Sequence, residues 1–237
     1  MKTFYRKSGP FSEQPFFKPI EIELMCRQEL EKYNLFPAEP SPIRIDRFVE
    51  KRFNIQPTYE DLPSGILGFT LFSQSGVKEI VVAQSLDEEG TKPAERRIRT
   101  TLAHESGHGL LHAHLFAFGA RPASLFGEDL DRDKPKILCR DNNDPALKSP
   151  AKKPPYRWWE YQANLAMGAL LLPKSLVDKA VSSLLTSRGR LGFAILEDER
   201  RQQAVKLLSE VFDVNPIVAK IRLESLYARA DEKQLTL

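Results

Sequence analysis

Two histidines separated by three residues constrain this chain more than any other feature. His104 and His108 lie within residues 100–111, a run that reads as a helix, and Glu105 directly follows the first histidine. At 3.6 residues per turn the two histidines project from one face, so their rings can reach a single ion at about 2.0–2.1 Å. Glu105 is rotated off that face, where it can hold a water molecule without becoming a ligand. The spacing therefore predicts a helix that carries part of a zinc-hydrolase site.

The same spacing also arises by chance on amphipathic helices, where the histidines lie on a polar or half-buried face. Gly107 favours the metal interpretation, because a glycine inside a helix costs about 1 kcal/mol relative to alanine and indicates a close approach by another group. The four histidines of the chain, at positions 104, 108, 112 and 114, all lie in this segment. His112 is one turn too far along the axis to share the ion, so we interpret it as solvated or as a support for a ligand.

A catalytic zinc ion needs a third protein ligand, for which Glu128 and Glu160 are the acidic candidates. Glu128 stands in a charged run, residues 127–135, which is typical of a solvated surface. Glu160 opens an apolar helix, and Asn164 follows one turn later, where its amide can hydrogen-bond a ligand histidine. The alternative is that Glu160 is a surface residue favoured by the helix dipole and that Asn164 is capped by backbone. Beside the histidine pair, the pattern favours Glu160 as the ligand.

Two motifs together resemble the ImmA/IrrE family of zinc metallopeptidases. Residues 104–108 read HESGH, matching the HExxH helix, and residues 160–166 read EYQANLA, matching E-x-x-A-N-x-x-A up to its final position. The sequence LLLP at residues 170–173 matches the Leu-Leu-x-Pro that ends the second helix, and the resemblance extends over about residues 43–227. The segment between the two motifs is longer here than in compact members of the family.

This resemblance implies an α+β fold with a zincin-like metalloprotease core, a small β-sheet and a helix-turn-helix-like C-terminal region. It makes His104, His108 and Glu160 the ligands of Zn²⁺ and Glu105 the general base, with Asn164 as a supporting side chain. The implied function is a zinc-dependent endopeptidase that cleaves a regulatory protein, such as a repressor with a helix-turn-helix domain.

Other functions fit the same residues. The chain could be a non-catalytic, metal-stabilised regulator that binds DNA or a repressor through its C-terminal helices, or a zinc hydrolase of a non-peptide substrate. Manganese or iron also suits a site of two histidines and one carboxylate.

Length and composition indicate what kind of protein carries this site and in which compartment it is expected. With 237 residues and 41% hydrophobic content the chain can bury a sizeable core, and a formal charge of +3 is too small to indicate nucleic-acid binding by itself. No apolar run approaches the ~18 residues that span a bilayer, and the N-terminus lacks the apolar core of a signal peptide. Cys26 and Cys139 form neither a disulfide framework nor a metal motif. We therefore expect a cytoplasmic protein with reduced cysteines and no membrane partner.

The chain divides into an N-terminal extension at residues 1–42, a zincin-like metallopeptidase domain at 43–180 and a C-terminal helical region at 181–237. Within the central domain, residues 119–156 are rich in Pro, Asp and Asn and are predicted to form an insertion loop. That loop could shape the cleft or be a neutral insertion. Three residues around the third ligand could donate to a developing oxyanion, although packing and solvation are the simpler roles: Tyr156, Arg157 and Tyr161.

Several regular elements can be placed by pattern. Helices are predicted at residues 19–33, at 45–53, from Pro93 through the histidine pair, at 197–212 and at 217–227. Strands are predicted at 66–72 and 77–83, joined by a hairpin turn at 73–76. The strand at 77–83 is the predicted sheet edge for an extended peptide substrate, unless the N-terminal extension covers it. The last two helices could read DNA, but a bundle that braces the core is favoured.

Overall fold

A computed structural model describes residues 2–5, 13–118, 136–140, 158–188 and 193–227, and these form an α+β structure. Three residues considered above, Glu128, Tyr156 and Arg157, lie outside the described residues. The described helices are α1 (Pro19–Lys32), α2 (Ile45–Phe53), α3 (Gln84–Glu89), α4 (Lys92–Leu111), α5 (Ala113–Phe118), α6 (Trp158–Leu171), α7 (Lys174–Ala180), α8 (Asp198–Val211) and α9 (Pro216–Leu226). The helices predicted by sequence pattern are confirmed as α1, α2, α4, α8 and α9.

The strands form one small mixed sheet and two separate hairpins. They are β1 (Lys2–Tyr5), β2 (Glu13–Phe16), β3 (Thr58–Glu60), β4 (Ile66–Ser73), β5 (Gly76–Ala83), β6 (Lys136–Arg140), β7 (Leu185–Arg188) and β8 (Phe193–Leu196). The sheet has the order β3-β5-β4-β6, in which β3 runs parallel to β5 and the other pairs are antiparallel. The hairpins are β1–β2 and β7–β8.

The predicted hairpin of two central strands is confirmed, but the prediction that its second strand is a sheet edge was wrong. β5 lies between β4 and β3, and its residues Val81, Val82 and Ala83 pair with β3. β3 escaped prediction because its three residues, TYE, are all exposed and show no alternation of apolar and polar side chains. Since β3 pairs with only the last three residues of β5, an extended peptide could join the described sheet at β3, at β6 or beside residues 76–80 of β5.

A second correction concerns the segment predicted to be an insertion loop. Five of its residues, Lys136–Arg140, form strand β6, which pairs antiparallel with β4. Their letters, KILCR, include β-favouring Ile and Leu, but the Pro- and Asn-rich flanks dominate the composition of the segment. This part of the segment is therefore a strand that extends the sheet next to β4.

Helix α4 runs through the centre of the protein. Thr91 caps its N-terminus by accepting a hydrogen bond from the Ala94 amide, and a proline occupies the first turn, as predicted. Residues 101–109 are all buried, so this half of the helix is surrounded by protein. It packs against α6 on one side and against β4 and β5 on another. Any polar side chain in this half must therefore find its partners inside the protein.

The close approach anticipated at Gly107 comes from α6. A β-carbon at Gly107 would lie 3.0 Å from both the Ala163 carbonyl oxygen and the Ala166 β-carbon. Such a distance is tighter than ordinary van der Waals contact, so glycine lets the two helices approach at this point. The histidines of α4 and the start of α6 are thereby brought together.

The C-terminal helices are fastened to the first half of α4. Asp213, in the turn between α8 and α9, receives hydrogen bonds from Arg96 Nε and Arg99 Nη1, each at 2.9 Å, and Lys92 Nζ lies 3.2 Å away. In α9 the buried Arg222 donates to the Leu172 carbonyl oxygen at 2.9 Å and also pairs with Glu23 of α1. These contacts hold α8 and α9 against the core.

Within the described parts of the chain, no helix is both long enough and apolar enough to cross a membrane.

Candidate metal centre

The three side chains predicted as ligands meet in one place. His104 Nε2 and His108 Nε2 are 3.0 Å apart, and Glu160 Oε2 lies 3.2 Å from the first and 3.6 Å from the second. Helix α4 supplies both histidines from consecutive turns, and the first turn of α6 supplies the carboxylate. The histidines are buried, whereas 27% of the Glu160 side chain is exposed, so the group is open on the side of the carboxylate.

The geometry and chemistry of this group suit a divalent cation. Ligand atoms at tetrahedral corners about 2.05 Å from zinc are about 3.3 Å apart, close to the separations found here. Two imidazole nitrogens that face each other at 3.0 Å need a proton or a cation between them. Glu160 Oε1 is also buried and has no hydrogen-bond partner among the described residues. The group His104, His108 and Glu160 could therefore hold a metal ion.

The electrostatics of the group follow from burial and mutual contact. Burial opposes the charged form of His104, but the hydrogen bond to Glu160 and the charges of Glu105 and Glu160 outweigh it, so its pKa is raised. Burial dominates for His108 and lowers its pKa. Burial also disfavours the Glu160 carboxylate, yet the two histidines outweigh it and hold the pKa of Glu160 well below its usual range. The third side chain is thus an ionised carboxylate, as a metal ligand must be.

Glu105 is a buried carboxyl group beside the ligands. Its Oε2 accepts a hydrogen bond of 2.6 Å from the Thr70 hydroxyl of β4, and its Oε1 has no hydrogen-bond partner among the described residues. Burial raises the pKa of Glu105 to about 7, although the charge of His104 and the Thr70 hydroxyl act in the opposite direction. A carboxyl group with that pKa can both take and release a proton near neutral pH. This is the property that a general base which later acts as an acid requires.

Asn164 lies where its predicted role would place it. Its Oδ1 is 3.2 Å from Nδ1 of His104, the ring nitrogen on the far side from the facing Nε2 pair. The Asn164 side chain thus contacts a histidine, which the alternative of a backbone contact alone does not explain. The amide can accept the Nδ1 proton and so leave the Nε2 lone pair of His104 for a cation.

His112 is fully buried, which excludes the interpretation that it is solvated. Its Nδ1 lies 3.1 Å from Nδ1 of His108, and its Nε2 lies 3.2 Å from Oε1 of Gln162. The Trp158 ring packs edge-on against the His112 ring, with centroids 5.5 Å apart. Burial is the main cause of a pKa of His112 well below its usual value. His112 is therefore a neutral side chain that contacts a predicted ligand and cannot itself reach the facing Nε2 atoms.

Two residues of the site escaped sequence reasoning. Thr70 is the polar side chain in the otherwise apolar run at residues 66–72, and Gln162 is a polar side chain on the apolar helix α6. A lone polar residue in a buried element needs a hydrogen-bond partner, and this was the available signal. Tyr161 is 42% exposed. Glu128, Tyr156 and Arg157 lie in the segments that the structure does not describe.

No protein-family model matches this chain, and no curated protein matches it.

Proposed function

We propose that this protein is a zinc-dependent endopeptidase of the ImmA/IrrE type with a zincin-like core. One observation carries the proposal: His104, His108 and Glu160 converge within ligand distance of a common point, and the buried carboxyl group of Glu105 lies beside them. The presence of both sequence motifs supports the same assignment, because an HExxH helix is followed by a second helix with a glutamate at its start.

The chemistry divides between a cation and the side chains of this chain. Bound Zn²⁺ would polarise the scissile carbonyl group and lower the pKa of water toward about 7. Glu105 takes a proton from the attacking water through Oε1 and later delivers it to the departing amine nitrogen. Thr70 holds the other oxygen of that carboxyl group, and Asn164 holds the ring of His104. In this proposal Glu105 transfers the proton, while Thr70 orients Glu105 and Asn164 orients His104.

The proposed substrate is a regulatory protein, such as a repressor with a helix-turn-helix domain, presented as an extended segment. A peptide strand that adds to a sheet edge gains affinity from backbone hydrogen bonds and depends little on side chains. β6 is the outer strand of the described sheet next to β4, which carries Thr70. We assign the peptide-binding edge to this side of the sheet.

The ligand set is tested by elemental analysis of the purified protein. The parent should contain zinc, and both His104→Ala and Glu160→Ala should lose it. Glu128→Ala is the matched control, since it removes a carboxylate that the pattern disfavours as a ligand. A parent without metal, or a Glu128→Ala variant that loses zinc while Glu160→Ala retains it, would overturn the ligand set.

Catalysis is tested separately with Glu105→Ala in a proteolysis screen against a cellular extract. The variant should retain zinc but cleave nothing, while the parent cleaves a specific protein. If the variant keeps the full regulatory effect of the parent in cells, the chain acts by binding and the peptidase proposal is wrong. If the parent hydrolyses only non-peptide substrates, the hydrolase chemistry stands and the peptide substrate does not.

A further inference from the structure

A chain of hydrogen bonds connects helix α4, which carries His104 and His108, to the N-terminal hairpin β1–β2. It begins at the backbone carbonyl oxygen of Pro15 in β2, which lies 2.9 Å from Nε2 of Gln162. Gln162 Oε1 lies 3.2 Å from Nε2 of His112, and His112 Nδ1 lies 3.1 Å from Nδ1 of His108. Pro15, Gln162, His112 and His108 are all buried, so these contacts do not compete with solvent.

The direction of each hydrogen bond follows from the first. A carbonyl oxygen can only accept, so Gln162 must turn its amide nitrogen toward Pro15 and its oxygen toward His112. That oxygen also only accepts, so a His112 ring with a single proton must carry it on Nε2. Nδ1 of His112 then carries a lone pair and accepts from His108, whose proton must be on Nδ1. Nε2 of His108 is left with a lone pair that faces His104 and Glu160.

We propose that Gln162 and His112 are positioning residues that hold His108 in the tautomer which offers Nε2 to the cation. The inference rests on the proposed metal site, because Nε2 of His108 faces the other two ligands of that site. A histidine outside such a chain can place its proton on either ring nitrogen. Here the fixed polarity of one backbone carbonyl determines the protonation pattern three side chains away. His108 is therefore prepared for a cation before the cation arrives.

The two ligand histidines are prepared by different groups. Asn164 Oδ1 accepts the Nδ1 proton of His104, and His112 Nδ1 accepts the Nδ1 proton of His108. The two acceptors therefore have the same role for the two ligand histidines. Asn164 is exposed, whereas His112 is fully buried. Loss of Asn164 can be replaced by water, but loss of His112 leaves the Nδ1 donor of His108 buried without a partner. We therefore expect the His112 contact to matter more for metal affinity.

The first experiment measures Zn²⁺ affinity by competition with a chromophoric chelator. His112→Phe keeps a ring but removes both nitrogens, and it should weaken Zn²⁺ binding by about 10–100-fold, as is typical for side chains that orient metal ligands. Gln162→Leu should weaken it less, because His112 remains but loses its fixed tautomer. Leu111→Ala is the control, since it opens packing at the same end of α4 and touches no ring nitrogen. Equal losses in His112→Phe and Leu111→Ala would show that only packing is involved and would overturn the proposal.

The second experiment needs no substitution and so does not depend on a variant that folds. Long-range ¹H–¹⁵N correlation spectra of the full chain, with and without Zn²⁺, report which nitrogen carries the proton in each of its four histidines. His112 should be neutral with its proton on Nε2, and His108 should have its proton on Nδ1 even without Zn²⁺. A proton on Nδ1 of His112 would overturn the inference while leaving metal binding intact. Absence of Zn²⁺ binding with the expected tautomers would instead contradict the proposed function alone.

Discussion

The hydroxyl group of Thr70 donates a 2.6 Å hydrogen bond to Oε2 of Glu105, and both side chains are completely buried. The bond joins strand β4 to helix α4, which carries the two candidate ligand histidines. It occupies one carboxylate oxygen and leaves Oε1 as the oxygen without a partner among the described residues. The proton-accepting atom of the proposed base is thus selected by its neighbour on the sheet.

Thr70→Val should impair catalysis without removing the metal. Valine keeps the shape of threonine but cannot donate, so the Glu105 carboxyl group loses its fixed orientation. We expect kcat to fall by about tenfold while KM and zinc content stay unchanged. Steady-state kinetics and elemental analysis provide the measurements. Thr70→Ser restores the hydroxyl group and should recover most of the activity; a serine variant as slow as the valine variant would exclude this role.

Glu105→Gln should stabilise the metal-free protein at high pH. Because burial raises the pKa of Glu105 to about 7, the native state holds a proton that the unfolded state releases at lower pH. The parent should therefore lose stability as pH rises from about 4.5 to about 7, relative to the glutamine variant. The difference should reach about 3 kcal/mol and then stay constant.

Urea unfolding of both metal-free proteins across this pH range measures the difference. The two proteins share every other titrating group, so their difference reports Glu105 together with its effect on His104, whose pKa the Glu105 charge helps to raise. A difference that shrinks as pH rises would mean that the folded protein favours the ionised carboxylate.

Gly107→Ala should weaken zinc binding and stability together. The new methyl group would lie 3.0 Å from Ala163 O and Ala166 Cβ, so α6 must shift and carry Glu160 away from the histidines. We expect a stability loss of about 1–3 kcal/mol, as for other overpacked sites. Thermal unfolding and chelator competition measure the two effects.

Gly168→Ala is the matched control for this prediction. A methyl group there meets the Arg222 side chain at 3.4 Å, an ordinary contact, and alanine is the better helix former by about 1 kcal/mol. This variant should be at least as stable as the parent and should bind zinc equally well. If Gly107→Ala behaves in the same way, the two helices have more room than their present separation indicates.

Asp213→Asn should destabilise the protein at neutral pH and have no effect in acid. Burial opposes the Asp213 charge, but the hydrogen bonds from Arg96 and Lys92 and the charge of Arg99 outweigh it and lower the pKa. The stabilisation is present above the ordinary pKa of 3.8 and is lost as pH falls through the lower folded value. Asparagine tolerates the positive φ of 52° at this position, so the substitution does not strain the backbone. It removes the charge and replaces one of the two oxygens that accept from Arg96 and Arg99 with an NH2 group, which only donates.

The expected loss at pH 7 is about 1–3 kcal/mol, because two arginines lose a partly buried partner. Chemical unfolding at pH 7 and at a pH below the lowered folded pKa of Asp213 measures it. Asp46→Asn is the control, since its pair with Arg44 is 3.6 Å apart and mostly exposed, and it should change little. A destabilisation by Asp213→Asn that persists in acid would point to shape and not charge.

The residues of the site that lie on helices could be predicted because their spacing in the sequence matches the period of a helix. The spacing of His104 and His108 places both on one face, and Glu160 and Asn164 are likewise one turn apart. These relationships are local in sequence. Each helix could therefore be identified alone, and the structure brings the two faces together at 3.2 Å between His104 and Glu160.

The contributions that the sequence did not reveal come from residues far apart in the chain. Thr70 reaches Glu105 from a strand, and Gln162 reaches the Pro15 carbonyl from a helix, with no pattern that connects either pair. The predicted sheet edge at residues 77–83 failed for the same reason, since β3 pairs with β5 and β6 pairs with β4 in ways that no short-range alternation specifies. The i+4 spacing of His112 fits either an exposed or a buried face, so the sequence alone leaves both a solvated side chain and a support for a ligand open.

The three candidate ligands come from two helices that are distant along the chain, with two on α4 and one on α6. A cation held by all three would act as a cross-link that closes a long loop, and it would disfavour the unfolded chain by restricting its conformational entropy. Because ligand binding to the native state adds stability, each tenfold rise in free zinc above the dissociation constant would contribute about 1.4 kcal/mol. Zinc supply would then set the stability of the folded protein as well as its chemistry.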